Sequence, residues 1–159
     1  MTLKMSSYKI DPMEIKIKTF AQLTTHELHD LLQLRSEVFV VEQDCVYQDI
    51  DGKDKKALHV FGMKDGKLVA YTRCFGPGTY FSEAAIGRIV VPADQRKYGY
   101  GHLIMEVSME AIEREYKTKE IKLSAQTHLR KFYESHGFVQ IGEGYLEDGI
   151  PHIGMTNSK

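Results

Sequence analysis

Ile86-Gly87-Arg88-Ile89-Val90-Val91-Pro92, followed by Arg96-Lys97-Tyr98-Gly99-Tyr100-Gly101 and then His102-Leu103-Ile104, is the stretch on which the fold turns. The apolar run Ala85 to Val91 predicts a central strand that stops at Pro92, because proline cannot donate to a ladder. From His102 the apolar residues Leu103, Ile104, Val107, Ala111 and Ile112 recur at helical spacing, with Glu106, Glu110, Glu113 and Arg114 elsewhere on the wheel. A strand, a glycine turn and a helix in succession gather backbone N–H groups at a helix N-terminus, which makes an anion site. Gly99 and Gly101 let the backbone approach an oxygen closely, and Arg96 and Lys97 supply charge that a diphosphate needs. On spacing alone the glycines could equally shape a tight loop flanked by solvated basic residues. Two other phosphate motifs are excluded, because neither G-x-G-x-x-G nor G-x-x-x-x-G-K-[ST] occurs.

Working outward, Met13, Ile15 and Ile17 alternate with Glu14, Lys16 and Lys18, the pattern of a half-buried strand, whereas residues 1–12 are polar without a period. Thr24 and Glu27 form a capping box, and Leu23 can staple onto Leu28, so a helix begins after Thr24 with Leu28, Leu31, Leu32, Arg35 and Val38 on its core face. Arg35 on that stripe is either a structural residue with a buried stem or a group aimed at a ligand. Beyond an acidic stretch, Leu58 to Met63 and Leu68 to Phe75 read as strands joined by Lys64-Asp65-Gly66-Lys67, since Asp-Gly favours a hairpin turn. Ile121 and Leu123 mark another strand, Leu129 to Ser135 a short helix ending near Gly137, and Phe138 to Ile141 and Ile150 to Met155 two more strands. The pattern is mixed α/β, with no repeat or linker, and predicts a single domain over residues 1–159.

The charge of 21 basic against 22 acidic residues leaves no footprint for nucleic acid or an anionic membrane. No leader pattern opens the chain, and no run approaches the ~20 apolar residues that span a bilayer. A cytoplasmic protein is the expectation. Cys45 and Cys74 lie apart with no C-x-x-C pattern, so both are expected to be reduced thiols.

The run Ile86 to Pro92 with Arg96-x-x-Gly99-x-Gly101 resembles motif A of the GNAT superfamily of N-acetyltransferases, and Phe132-Tyr133-Glu134-Ser135-His136-Gly137-Phe138 resembles its motif B. The segments Leu34 to Gln43, Tyr47 to Gly52 and Glu147-Asp148-Gly149-Ile150-Pro151-His152 are similar to the ElaA-like branch. The resemblance runs from about Ile15 to Met155 and leaves the first dozen residues outside. It implies a mixed, mostly antiparallel sheet flanked by helices and splayed between its fourth and fifth strands, here Ala85 to Val91 and Glu120 to Gln126. Acetyl-CoA would be wedged into the opening. Its pantetheine arm would run along the main chain of Ile89, Val90 and Val91, and its pyrophosphate would meet the amides of Arg96, Lys97, Tyr98, Gly99, Tyr100, Gly101 and His102. Gln126 is implied as a polar contact to it.

Acetyl transfer to an amine needs a neutral amine, stabilisation of the carbonyl oxygen and a proton for the departing thiolate. Tyr133 matches the family position of that general acid, and a phenol with a reference pKa of ~10 is protonated at neutral pH. The Ile89 amide is the candidate for polarising the carbonyl. Glu42, His59 and His152 are candidates for the base or for contacts to the substrate, with Glu42 able to recognise a cation. The loop Asp44 to Asp54 fails calcium-hand spacing, is expected to be a solvated turn and could attract an amine; no metal is expected. The acceptor, a small-molecule or peptide amine, is not legible, and a homodimer is compatible with a final strand near a sheet edge. The rival reading is a non-catalytic acyl-CoA-binding sensor.

Overall fold

In a computed structural model, which describes residues 7–10 and 13–158, the chain builds one eight-stranded sheet with helices on both faces. The first strands, β1 (Ser7–Ile10) and β2 (Met13–Thr19), pair antiparallel. β2 buries every second residue as its alternation requires. β1 is a strand the sequence did not signal; it is four residues long, but Tyr8 and Ile10 pack against the core and hold it in place. The remainder of the first dozen residues lies outside the described residues.

Helix α1 (Thr25–Arg35) starts where the capping box places it. The Glu27 amide donates to Thr24 Oγ1 at 3.0 Å, and the Thr24 amide donates to Glu27 Oε1 at 2.9 Å. Lys18 also donates to both Glu27 oxygens at 2.9 Å, tying the helix start to β2. The helix widens into a π-helical turn over Ser36–Glu42. Strands β3 (Leu58–Lys64) and β4 (Lys67–Phe75) are joined by Asp65 and Gly66, both at positive φ, as a twisted two-residue hairpin demands. β5 (Ala84–Val90), α2 (Tyr100–Tyr116), β6 (Ile121–Gln126), α3 (Arg130–Glu134), β7 (Val139–Glu147) and β8 (Ile150–Thr156) complete the chain.

Strand order is β1-β2-β3-β4-β5-β6-β8-β7, antiparallel throughout except between β5 and β6. That parallel pair is joined at Ala84↔Ile121 and Ala85↔Lys122 and then opens. β8 lies one strand in from the edge, which is occupied by β7. On one face α2 packs Ile104, Met105, Val107, Ala111 and Ile112 against Ile15, Ile17, Val60 and Ile86; on the other, α1 brings Leu31 and Leu34, and the π-helical turn Val38, to Phe61, Tyr71 and Val90. Each such buried side chain contributes roughly 1.5–3 kcal/mol. No helix among the described residues is long and apolar enough to cross a membrane.

The acidic loop is not a solvated turn. Asp49 and Asp54 are buried, and so is Arg35. Arg35 donates to Asp49 Oδ2 at 2.9 Å and Asp54 Oδ1 at 2.7 Å, while Arg73 reaches Asp54 Oδ1 at 3.0 Å and grips both oxygens of Asp51. Arg88 donates to Asp49 Oδ1 at 2.6 Å. Three arginines face three aspartates, so charges that burial would penalise are each compensated. Of the two roles open to Arg35, the structural one holds, and Asp49, Asp51 and Asp54 are spent on these partners.

Candidate active site

Between β5 and α2 the chain makes a 3-10 turn, Ala93–Tyr98, and reaches Gly99 at φ 75°, ψ 18°. This left-handed conformation favours glycine, and a Cβ there would meet no protein atom within 4 Å. Gly99 is the N-cap of α2, and no side chain among the described residues caps that end. The first amides of the helix are therefore open to a ligand, as a helix of 17 residues leaves them. The side chains around the turn have other tasks. Tyr100 is buried in the core, Lys97 lies over the Tyr98 ring, and His102 sits 2.9 Å from His136 through facing ring nitrogens. Burial and the neighbouring His102 lower the pKa of His136.

Arg96 departs from expectation. Its Nε donates to the Val91 carbonyl at 3.0 Å, and its two terminal nitrogens meet the two oxygens of Glu42 at 2.8 and 3.0 Å. The guanidinium pins the turn to β5 and to the π-helical turn instead of pointing at a free anion. The same contacts occupy Glu42, which stands as a partner of Arg96 rather than as a free base.

Beyond Ala85↔Lys122 the sheet opens into a cleft of about 350 Å³. Ile89, Val90 and Val91 line one wall, Gln126 the other, with Tyr133 entering from α3 and His152 from β8. A break in β5 turns its backbone toward this space. Tyr71 pairs with Val90 and Arg73 with Gly87, so Thr72 alone faces Arg88 and Ile89, a two-against-one bulge. Arg88 takes φ 50°, a left-handed conformation that costs a non-glycine residue roughly 1–2 kcal/mol. Ile89 consequently has no ladder partner on β4.

Tyr133 is buried against Phe132 and Phe138, both edge-on. Burial raises its phenol pKa well above the ordinary tyrosine range, so the group keeps its proton. His152, also buried, has Nδ1 2.7 Å from the Ile150 carbonyl. A carbonyl only accepts, so Nδ1 carries a proton and Nε2 is the ring nitrogen that can exchange one. Nε2 lies 3.4 Å from Glu147 Oε2, placed to stabilise the ring once it is protonated. Gln126 donates to Gln43 across the cleft at 3.2 Å.

His59 does not belong here. It is fully buried on β3, with Nδ1 2.7 Å from the Tyr71 hydroxyl and Nε2 2.9 Å from the Asp54 carbonyl, and it is not among the cleft residues. Burial lowers its pKa despite the Asp54 carbonyl and carboxylate, which fits a neutral structural ring. Conversely, Glu147 and Arg88 line the cleft and were not singled out by chemistry. Both stand inside stretches with a sequence signal, Glu147 opening Glu147-Asp148-Gly149 and Arg88 within Ile86 to Pro92.

A splayed parallel strand pair, a bulged strand facing the gap and an uncapped helix end beyond it define an enzyme that works on a thread-like acyl carrier. Residues 21–159 match the family model described as "Acetyltransferase (GNAT) domain", and the chain belongs to this family of acyl-CoA-dependent acyltransferases. It is similar to the protein ElaA of Escherichia coli strain K12, at 43% identity over 138 residues that cover 86% of this chain and 90% of that one. The crystal structure of Escherichia coli ElaA matches with a TM-score of 0.85 over 92% of this chain and 99% of that one. An acyl-CoA N-acyltransferase from Pseudomonas aeruginosa matches with a TM-score of 0.87 and 44% identity over the same shares. At 16% identity and a TM-score of 0.70, a CoA-dependent acyl-homoserine lactone synthase solved with isopentyl-CoA shares the fold over 91% of this chain and 82% of that one.

Proposed function

We propose that the protein transfers an acetyl group directly from acetyl-CoA to a primary amine. The observation that carries this reading is the convergence, in one cleft, of Ile89 without a ladder partner, the buried Tyr133 phenol and Nε2 of His152. The residues fit the cosubstrate. The amides from Arg96 to His102 would hold the pyrophosphate, the main chain of Ile89, Val90 and Val91 would pair with the pantetheine arm, and Gln126 would add a polar contact from the facing strand.

His152 Nε2 takes a proton from the incoming ammonium, and Glu147 stabilises the resulting imidazolium. The Ile89 amide donates to the carbonyl oxygen as negative charge develops there. The C–N bond forms, the C–S bond breaks, and Tyr133 gives its proton to the departing thiolate. The new amide nitrogen loses its second proton to solvent, Tyr133 recovers one from solvent and His152 releases the one it took, so one proton is released per turnover. On the acceptor side Glu147 supplies negative charge while Arg88 and Arg96 are already paired, which favours a cationic amine.

The test is incubation of the purified protein with acetyl-CoA and a panel of polyamines, aminoacyl compounds and peptide N-termini, read by product mass, with longer acyl-CoAs in parallel. Acetylation of a cationic amine is expected, and Glu147→Gln should raise its KM about tenfold with acetyl-CoA affinity kept. Tight CoA binding without any acetylated product would support a sensor instead.

A further inference from the structure

The bulge that frees Ile89 is held by the contacts of the Arg88 side chain with the loop before β3. Arg88 sits at φ 50° with its Nε on Asp49 Oδ1 at 2.6 Å and Nη2 on the Asp49 carbonyl at 3.3 Å. Its guanidinium also lies over the Tyr47 ring, and the Tyr47 hydroxyl donates to the same Asp49 oxygen at 3.1 Å. Asp49 in turn is fixed through Oδ2 and its carbonyl by the fully buried Arg35 of α1. One buried carboxylate thus joins α1, the loop before β3 and the strained residue of β5. Nothing in the ladder with β4 holds Arg88, since the register passes from Gly87 to Val90.

We propose that Arg88 is a positioning residue: anchored on Asp49, its side chain keeps the left-handed backbone that aims the Ile89 amide into the cleft. This rests on the reading that Ile89 receives the thioester carbonyl. The side chain acts on the strand next to the reacting atoms, not on those atoms themselves. Removing the tether but keeping the Cβ leaves the left-handed conformation unsupported, whereas glycine adopts it freely, a difference of about tenfold in population. An arginine serving only as a wall of the cleft, or as a stabilising ion pair, would make alanine and glycine equivalent.

The experiment compares full-length wild type, Arg88→Ala, Arg88→Gly and Asp49→Asn, titrated with CoA and with acetyl-CoA while backbone amide resonances are followed by NMR. In wild type the Ile89 amide should shift further with acetyl-CoA than with CoA, and Gly99 and Gly101 should shift alike with both. In Arg88→Ala the acetyl-specific shift of Ile89 should fall about tenfold, with CoA affinity changed less than about threefold, and Arg88→Gly should restore most of it. Asp49→Asn should follow Arg88→Ala. An Ile89 response equal in Arg88→Ala and wild type, or lost equally in the alanine and glycine variants, overturns the positioning role. No acetyl-specific shift of Ile89 in wild type sinks the catalytic reading of that amide, and the inference falls with it. If Arg88→Ala does not fold, the pair Arg88→Gly and Asp49→Asn decides: a lost shift in Asp49→Asn and a retained one in Arg88→Gly support the proposal, and equal behaviour refutes it.

Discussion

Replacing Tyr133 with phenylalanine separates chemistry from architecture. The ring is enclosed by Phe132 and Phe138, with centroids 5.0 and 6.5 Å away, and phenylalanine preserves both contacts. The hydroxyl makes no side-chain hydrogen bond among the described residues, and desolvation alone raises its pKa. The hydroxyl borders the cleft and bonds no side chain, so its removal should change stability by no more than about 1 kcal/mol. That corresponds to at most roughly 2–4 °C in Tm for a chain of this size. Turnover should change far more. A positioned general acid contributes about 10²–10⁴-fold, so kcat should drop at least a hundredfold while CoA affinity by calorimetry stays within about threefold. The wild-type rate should show no alkaline break from this group near its usual pKa of ~10, because burial holds the proton beyond it. A Tyr133→Phe enzyme with full kcat, or one whose kcat falls together with a larger drop in Tm, would refute the assignment.

Gly99→Ala meets no atom but forces a Cβ into φ 75°, so CoA Kd should rise several-fold and stability fall by roughly 1–2 kcal/mol, measured by calorimetry and urea unfolding. Asp54→Asn keeps the shape but removes the counter-charge shared by Arg35 and Arg73; a loss of about 3–5 kcal/mol in urea unfolding is expected. Burial raises the Glu27 pKa, yet the Thr24 amide and Lys18 outweigh it and bring the carboxyl from 4.5 to about 2. Its stabilisation is therefore fully present above pH 4.5 and lost as pH falls through about 2. The stability gap between wild type and Glu27→Gln should close over that window.

Much of the fold is local and therefore legible. Thr24 with Glu27 fixes a helix start within four residues, and Asp65-Gly66 fixes a hairpin within two. The glycine turn lies at the start of the helix that the spacing predicts, and the φ of 75° at Gly99 is a reason for glycine that the spacing does not carry. The misreadings come from partners distant in sequence. Asp49 looks like a solvated loop carboxylate until Arg35 and Arg88, 14 and 39 residues away, close on it. His59 looks reactive until both faces of β3 are covered and each ring nitrogen is matched. Glu42, read as a base or substrate contact, and the Arg96 side chain, read as charge for a diphosphate, are 54 residues apart and bind each other. β1 escaped notice because four residues with two apolar positions carry too little period.

The gap between β5 and β6 amounts to a pair of sheet edges folded inside the molecule. At an outer rim such edges recruit any stray strand, which is why rims are shortened, charged or covered. Here the pairs Ala84↔Ile121 and Ala85↔Lys122 hold the two edges at one end, and the space between them narrows toward that hinge. A second polypeptide would bring side chains on both sides of its backbone into that narrowing space. A bare, unbranched amide-bearing chain would bring none, so its fit would be set by cross-section before any side chain recognised a chemical group.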